Sequence, residues 1–354
     1  MIAPAAVSND ALVDPSNSSL GDLAQAHEEL VRLLMSHGEL VHADSLDRDA
    51  FIASVRALMS RAPDAGKFWE AMLSHGRWGL APAPAPKAIA EIEDLPALKK
   101  WSTAVRVAFM EKERAELLGC PENELSWRIL EPPLEIACCV AGWQTDTFRD
   151  LRELSEQHTI TPKTDRDALA MTRLVPLLQR ARSVTVLDRW LGKNLSWQYH
   201  RGRHVATSAS TKPPELAWLM QIIDRHAQDA TLSLFSTFDD EASDSEFRRS
   251  DVVAAVDDLW QRVPSRGGLG RLQLFLADDN VSLPSTGARF PHDRHIRCDS
   301  AGFSLSAGID RLRRQETGNG TWRMFYLWQP GDVQGLRDDE NVARVLGGAP
   351  EVWE

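Results

Sequence analysis

The stretch SVTVLDRWL (183–191) is a short β-branched run that leads into charged residues, which predicts a buried strand. Two later stretches, ATLSLFSTF (230–238) and GRLQLFLADD (270–279), also predict strands. Between these runs, PPELAWLMQIIDRHA (213–227) and SDVVAAVDDLWQRV (250–263) have apolar residues at helical spacing. Strands that alternate with helices of this length predict an α/β sheet with helices on its faces.

The first half of the chain has a different rhythm. SLGDLAQAHEELVRLLMSHGEL (19–40) and SLDRDAFIASVRALMSRA (45–62) show apolar residues at helical spacing, and similar patterns continue toward residue 156. We therefore expect residues 1–20 to be disordered and an all-helical N-terminal domain over 21–178. This domain would contain a stiff proline-rich linker, APAPAP, at 81–86. The α/β domain would follow over 179–354.

The composition is that of an ordinary globular protein, and the charge is uneven. Residues 1–150 carry 14 Lys+Arg and 23 Asp+Glu, a balance of −9, and the remaining residues contribute −2 of the total of −11. No segment is basic enough to indicate a surface that binds nucleic acid. The sequence has neither a transmembrane run nor a signal-peptide pattern. Its four cysteines form no disulfide-like framework, so we expect a cytoplasmic protein without membrane contact.

A polar motif lies in PHDRHIRCDSAGFSLSAGID (291–310). On a strand, His292 and Arg294 would project from the same face, with Asp299 just past the next turn. An imidazole could attack phosphorus or protonate a leaving group, a guanidinium could hold two phosphate oxygens, and a carboxylate could orient the ring. The same residues also suit a polar edge strand, and the sequence leaves both interpretations open.

The spacing His292-x-Arg294-x4-Asp299 resembles the His-x-Lys-x4-Asp signature of the phospholipase D superfamily, with arginine in the lysine position. GFSLSAGID resembles the strand and small-residue turn that follow the signature, although the family's Gly-Ser falls at Ser306 and Ala307, with glycine displaced to Gly308. The resemblance covers about half of the chain. It looks closest to divergent, single-motif modules at the C-termini of bacterial multi-domain and conflict-system proteins.

The resemblance implies a phospholipase D-like α/β domain and a metal-independent phosphodiesterase without a cofactor. The family's reaction uses two histidines, one as the covalent phosphohistidine and one as the acid. Since this chain has a single motif, the resemblance implies a homodimer with the motifs facing across a twofold axis. His292 would be the nucleophile or acid, Arg294 the phosphate clamp and Asp299 the orienting carboxylate. A nucleic acid is a better candidate substrate than a lipid, because the chain has no membrane-seeking segment.

Three more residues are candidates for binding the substrate. Asp188, Arg189 and Lys193 follow the predicted strand at 183–191, and clefts in α/β sheets lie at such strand ends. A solvated loop is the alternative interpretation. The five tryptophans from Trp197 to Trp328 are spread at core-like positions and do not alternate with basic residues as a base-stacking platform would.

Two further hypotheses compete with the enzyme. In one, the degenerate motif makes the chain an inactive phospholipase D-like interaction module, and the acidic helical half docks a partner protein in a bacterial defence or stress complex. In the other, the motif is a coincidence in an unrelated α/β binding protein. Substituting alanine for His292 distinguishes a functional histidine, which leaves stability unchanged, from a structural one.

Overall fold

The computed structural model describes residues 2–17, 20–74, 78–179, 181–204, 215–240, 247–263, 267–299, 301–312 and 320–354. The chain forms two compact units, one over residues 2–156 and one over 157–354. The predicted boundary at 178/179 is displaced because residues 157–178 belong to the second unit. Strand β7 (Thr159–Ile160) pairs there with β13 (Trp322–Leu327).

The first unit is built on a six-stranded sheet. Its strands are β1 (Ala3–Val7), β2 (Gly38–His42), β3 (Trp78–Leu80), β4 (Val107–Met110), β5 (Ser126–Ile129) and β6 (Leu134–Cys138). The order is β3-β2-β1-β4-β6-β5, and every pair is parallel except β5 with β6. Strand order reverses at β1, as in doubly wound sheets.

Both faces of this sheet are covered by hydrophobic cores, which explains why its central strands are apolar. Val7 and Phe109 belong to one hydrophobic core, and their neighbours Ala6, Ala108 and Met110 belong to a second core on the opposite face. Alternate residues of a strand point to opposite faces, so each strand contributes to both cores. Helices cover the sheet: α1 (Leu20–His37), α2 (Ser45–Arg61), α3 (Pro63–Ser74), α4 (Leu95–Lys99), α5 (Lys112–Leu117) and α6 (Asp146–Glu156).

Two predictions for this half are wrong. The domain is not all-helical, because it contains the six-stranded sheet. The disordered segment expected at 1–20 is also wrong for its described residues 2–17: β1 lies inside the sheet between β2 and β4, and its Ala5 is fully buried. The proline-rich residues 81–86 form an irregular connection with a bend at 83–84, which leads from β3 toward a 3-10 turn at Ile89–Glu91, inside the unit.

The second unit confirms the α/β prediction at the level of class. Its remaining strands are β8 (Ser183–Leu187), β9 (Ala230–Phe238), β10 (Leu269–Asp278), β11 (His295–Cys298), β12 (Ala301–Leu305) and β14 (Glu351–Trp353). The eight-stranded order is β14-β10-β9-β8-β11-β12-β13-β7. Strands β8, β9 and β10 are parallel to one another, whereas β11, β12, β13 and β7 extend the sheet beyond β8 through antiparallel pairs, and β14 is antiparallel to β10.

Helices cover this sheet as well. They are α7 (Arg166–Leu169), α8 (Val175–Leu178), α9 (Leu191–His204), α10 (Glu215–His226), α11 (Arg249–Trp260) and α12 (Pro330–Gly347). Helix α9 packs near β9 and α11, and α12 packs on β9 and β10. None of the helices in the described ranges is long and apolar enough to cross a membrane.

Candidate functional site

The candidate residues lie at the edge where the parallel strands β8, β9 and β10 end. Asp188 and Arg189 follow β8 directly, and Asp279 follows β10. Because β11 runs antiparallel to β8, with His295 opposite Leu187, the segment that precedes β11 reaches the same edge. This segment carries His292 and Arg294, which lie in an irregular stretch and not on a strand as the sequence suggested. Ligand clefts of α/β sheets form at such edges.

Arg189 is the centre of the arrangement. Its Nε donates a hydrogen bond of 2.7 Å to Asp279 Oδ1, and its Nη1 lies 2.8 Å from His292 Nε2. Its backbone carbonyl accepts a hydrogen bond from the Thr237 hydroxyl at 2.9 Å, which fixes the main chain behind the side chain. The Arg189 side chain is mostly buried, with 12% exposed, whereas His292 is exposed, so a ligand can approach this pair from the side of the imidazole.

Asp188 and Arg294 form a second pair beside the first. Asp188 is fully buried, and its carboxylate accepts hydrogen bonds from the backbone N–H groups of Trp190 and Ile309. Burial raises the pKa of Asp188, while those hydrogen bonds and the charge of Arg294 act in the opposite direction. Arg294 Nε lies 3.4 Å from Asp188 Oδ1, an ion pair without hydrogen-bond geometry.

Gly308 makes this pair possible. A Cβ at that position would come within 2.7 Å of Asp188 Oδ2 and 2.6 Å of Asp310 Oδ1. A side chain there would therefore push one or both carboxylates out of place. The displaced glycine of the sequence motif has a structural use, since it leaves room for Asp188 beside Arg294.

Lys193 lies on the first turn of α9, near the same edge. Its Nζ is 5.7 Å from the centre of the Phe247 ring, a cation–π contact. Lys193 is exposed, and its ammonium group contributes positive charge next to the loop that carries Arg189. All three substrate-binding candidates, Asp188, Arg189 and Lys193, therefore follow β8, as the sequence predicted.

Asp299 lies at the other end of β11 and does not join His292 and Arg294. Its carboxylate accepts hydrogen bonds from the backbone N–H groups of Arg182 and Ser183, at the start of β8. Four strand residues separate the two ends of β11, a span on the order of 15 Å. The predicted triad is thus divided, and the orienting role expected for Asp299 is not available. Its backbone φ of +46°, in the left-handed region, matches a role in the turn between β11 and β12.

The sequence interpretation missed a buried ion pair behind the candidate site. Arg297 donates two hydrogen bonds of 2.6 Å to Glu340 on α12, and His295 Nε2 lies 3.1 Å from the same carboxylate. Burial alone would raise the pKa of Glu340, but the hydrogen bonds from Arg297 and His295 outweigh it and lower the pKa. Two polar residues, two apart on a buried strand, were the available signal, since they share one face. Their partner lies over 40 positions later and had no local signature.

The first unit has a polar edge of its own where the strand order reverses. Asp14 accepts a hydrogen bond from the backbone N–H of Lys112, and Arg114 pairs with Asp10. Burial and the charges of Asp10 and Asp14 raise the pKa of Glu111. Within the described parts of the chain, no group of three or more His, Cys, Asp or Glu side chains is arranged to hold a metal ion.

Comparisons with known proteins do not place the chain in a family. No protein-family model matches it, and the search of curated proteins found no match. Among solved structures, the archaeal chromatin protein TrmBL2, described as showing a novel mode of DNA binding, is similar at 11% sequence identity and a TM-score of 0.21. The match covers 55% of this chain and 58% of that one. A TM-score this low carries no argument about the fold or function of this chain.

Proposed function

We propose that the edge formed by Arg189, His292 and Arg294 binds a phosphodiester and cleaves it without a metal ion. The observation that carries this proposal is the 2.8 Å contact between Arg189 Nη1 and His292 Nε2. It brings an exposed imidazole and a held guanidinium together at a sheet edge. Asp299 does not orient the ring of His292 in this proposal; Asp279 and Asp188 pair instead with the guanidinium groups of Arg189 and Arg294.

The contact also implies how a substrate changes the site. A guanidinium only donates hydrogen bonds, and Arg189 Nη1 lies 2.8 Å from Nε2 and 3.2 Å from Nδ1 of His292, so the ring nitrogen that has the lone pair is the acceptor. Phosphate oxygens compete for the same donors, because planar guanidinium groups bind them bidentately. Arg189 can turn Nη1 to the phosphate while Asp279 still holds Nε, and this releases the lone pair of His292 toward phosphorus.

The reaction then has two displacements. The His292 nitrogen attacks phosphorus, and the P–O bond to the leaving group breaks as an acid protonates that oxygen. Water next attacks the phosphohistidine and gives its proton to the group that acted as the acid in the first step, the P–N bond breaks, and the nitrogen lone pair returns to the imidazole. The acid is the His292 of a second copy, so the proposed enzyme is a homodimer with two such sites facing each other.

A nucleic acid is the proposed substrate, as a nuclease of a bacterial defence or stress system would require. Residues 157–354 carry 25 Lys+Arg and 26 Asp+Glu, a balance of −1, whereas residues 2–156 carry 15 and 25, a balance of −10. The nearly neutral second unit therefore repels a polyanion much less than the first. The acidic first unit suits contact with a partner protein better than contact with a nucleic acid.

A catalytically inactive interaction module is the second candidate. The observation in its favour is that both guanidinium groups already have carboxylate partners, Asp279 for Arg189 and Asp188 for Arg294. Such pairing weakens the attraction for phosphate, because the local charges cancel. In that case the site binds without turnover, and the acidic first unit holds the partner protein.

The test is hydrolysis of bis(p-nitrophenyl) phosphate and of single- and double-stranded DNA and RNA in EDTA. We expect wild type to cleave and His292→Ala to lose at least about 100-fold in rate with an unchanged Tm. His226→Ala is the matched control. His226 is the last residue of α10 and lies near the start of β9, whereas the candidate site lies at the edge where β9 ends. Cleavage that survives in His292→Ala, or that EDTA abolishes, contradicts the proposal. Absence of cleavage together with Arg189-dependent phosphate binding favours the inactive module.

A further inference from the structure

Helix α9 has one buried face and one exposed face with an aromatic and basic character. Leu191, Leu195 and Ser196 are almost fully buried against the unit. Trp190, Lys193 and Trp197 lie on the other side, because residues three, four and seven apart share one face of a helix. Trp190 precedes the first residue of α9 but continues its helical hydrogen-bond pattern, since its carbonyl accepts a hydrogen bond from Asn194 N–H at 3.0 Å.

The two tryptophans are unusually accessible for their size. Trp190 is 38% exposed and Trp197 is 36% exposed, whereas Trp218, Trp260 and Trp322 of the same unit are buried. The core position expected for Trp197 from the sequence is therefore wrong. Tryptophan is enriched at binding interfaces relative to the rest of a protein surface.

This exposed stripe is continuous with the phosphate-binding edge. Trp190 directly follows Arg189, and the Arg189 guanidinium carbon lies 5.5 Å from the centre of the Trp190 ring. Lys193 lies between the two tryptophans on the same face. The stripe thus alternates aromatic rings with positive charge and leads away from Arg189 and His292.

We propose that the stripe formed by Trp190, Lys193 and Trp197 binds the unpaired bases of a single-stranded nucleic acid and guides its backbone to His292. The inference rests on the proposed function, for which it specifies the substrate class. Aromatic side chains stack on the faces of any base, and interleaved cations follow the phosphates. This combination recognises single strands without reading their sequence.

Geometry favours a single strand over a duplex. The two tryptophans are seven positions apart on the helix, a rise of about 10 Å, which corresponds to about one to two nucleotide spacings of an extended strand. In a duplex the base faces are already stacked on each other and cannot reach an aromatic ring. A purely apolar partner helix would offer no anionic group to Lys193, whereas a phosphate backbone supplies one.

The test measures binding of the full chain to labelled oligonucleotides by fluorescence anisotropy in EDTA. The probes are a 12-nucleotide oligo(dT), an abasic strand with the same number of phosphates, and a duplex of equal length. We expect oligo(dT) to bind at least about tenfold more tightly than the abasic strand. Trp190→Ala and Trp197→Ala should each weaken oligo(dT) binding roughly 5- to 150-fold and leave the abasic strand unaffected. Trp353→Ala, a tryptophan change on β14, is the matched control and should change nothing.

Several outcomes overturn the inference, and they differ from failure of the proposed function. Equal affinity for oligo(dT) and the abasic strand, or unchanged binding in both tryptophan variants, removes the stacking role while leaving the phosphate site intact. Tighter binding of the duplex than of oligo(dT) would likewise remove the stacking role. If nothing binds and Trp190→Ala/Trp197→Ala turns a dimer into a monomer in light scattering, the stripe is a contact between two copies. Conversely, the tryptophan variants can weaken oligo(dT) binding as expected while His292→Ala leaves cleavage unchanged. That result refutes only the proposed function.

Discussion

Arg189 donates a hydrogen bond to His292 across 2.8 Å, although 103 residues separate the two in sequence. The relationship exists because β8 ends and β11 begins at the same edge of one sheet, and Asp279 after β10 holds the arginine from the other side. Three separate segments thus define the position of one guanidinium. The candidate site is a property of the sheet topology more than of the local motif.

Removing the carboxylate behind Arg189 should separate substrate binding from turnover. In Asp279→Asn the negative charge that competes with phosphate is lost, so we expect KM to fall about three- to tenfold. Because the guanidinium is less firmly oriented, kcat should fall about tenfold or more. Steady-state kinetics with a phosphodiester substrate measure both. Asp278→Asn changes the same charge one residue away without touching Arg189, and an identical effect there would contradict a positioning role for Asp279.

Replacing Asp299 should affect folding and not chemistry. Asp299→Ala removes the acceptor of two backbone N–H groups and places alanine at φ +46°. We expect a loss of about 1–3 kcal/mol in urea unfolding and an unchanged kcat for the folded fraction. Asp299→Asn should recover much of the stability, since asparagine accepts hydrogen bonds and tolerates positive φ. A large kcat loss in stable Asp299→Asn would return the residue to the catalytic site.

Glu340 should be among the most sensitive positions for stability in the second unit. Glu340→Ala leaves Arg297 and His295 buried without their carboxylate, and breaking such a pair costs about 3–5 kcal/mol. Urea denaturation measures the change. Asp338→Ala, on the exposed side of the same helix, should stay within about 0.5 kcal/mol. Equal effects of the two variants would show that the buried ion pair does not hold β11 to α12.

The first unit should lose stability in mild acid through two buried histidines. His27 Nε2 donates to the Leu12 carbonyl and its Nδ1 accepts from Trp69 Nε1, so the ring is neutral in the fold. Burial lowers the pKa of His27 and of His42 from 6.5 to about 4. The unfolded chain binds these protons first, so the stabilisation is complete above pH 6.5 and falls as the pH drops toward 4.

Each of these histidines should contribute about 3 kcal/mol to that pH dependence. Urea unfolding followed by tryptophan fluorescence at pH 7.5 and pH 4.5 measures the total. In His27→Gln the part of this difference that comes from the two buried histidines should fall by roughly half, because of the two only His42 still titrates. A pH dependence that is the same in wild type and His27→Gln would refute this assignment.

The four cysteines should be unreactive until the chain unfolds. Cys120, Cys138, Cys139 and Cys298 are buried, and burial raises the pKa of each thiol, to about 11 for Cys139 and about 12 for Cys298. Since the thiolate is the reactive form, labelling with a thiol reagent at pH 8 should proceed only at the rate of opening. Urea should expose all four. A thiol that reacts within seconds in the native protein would contradict their burial.

The sequence predicted the second unit better than the first for a physical reason. β9 is long and lies among other predicted strands, so its limits at Ala230 and Phe238 match the prediction. β1 is a five-residue stretch rich in alanine, and β2 directly follows the amphipathic helix α1. Strands buried on both faces have no alternating pattern, so the helical period of their neighbours dominated the interpretation.

The candidate site was predicted in part for a related reason. Asp188 and Arg189 follow a recognisable strand, so the position of the edge could be inferred. His292 and Arg294 were recognised as residue types, but their partners were not, since Asp279 is brought near only by the sheet. Asp299 was assigned to the site by its spacing from His292 and Arg294. Spacing alone does not tell at which end of β11, and so at which edge of the sheet, a residue lies.

The ladder between β8 and β11 has only four residue pairs, from Leu187 with His295 to Val184 with Cys298. It joins the parallel half of the sheet to the antiparallel half. Local opening at this ladder would carry His292 and Arg294 away from Arg189 and Asp188 while β9 and β10 remain paired. Amide hydrogen exchange at β11 would then report directly on how often the intact protein exists without its site.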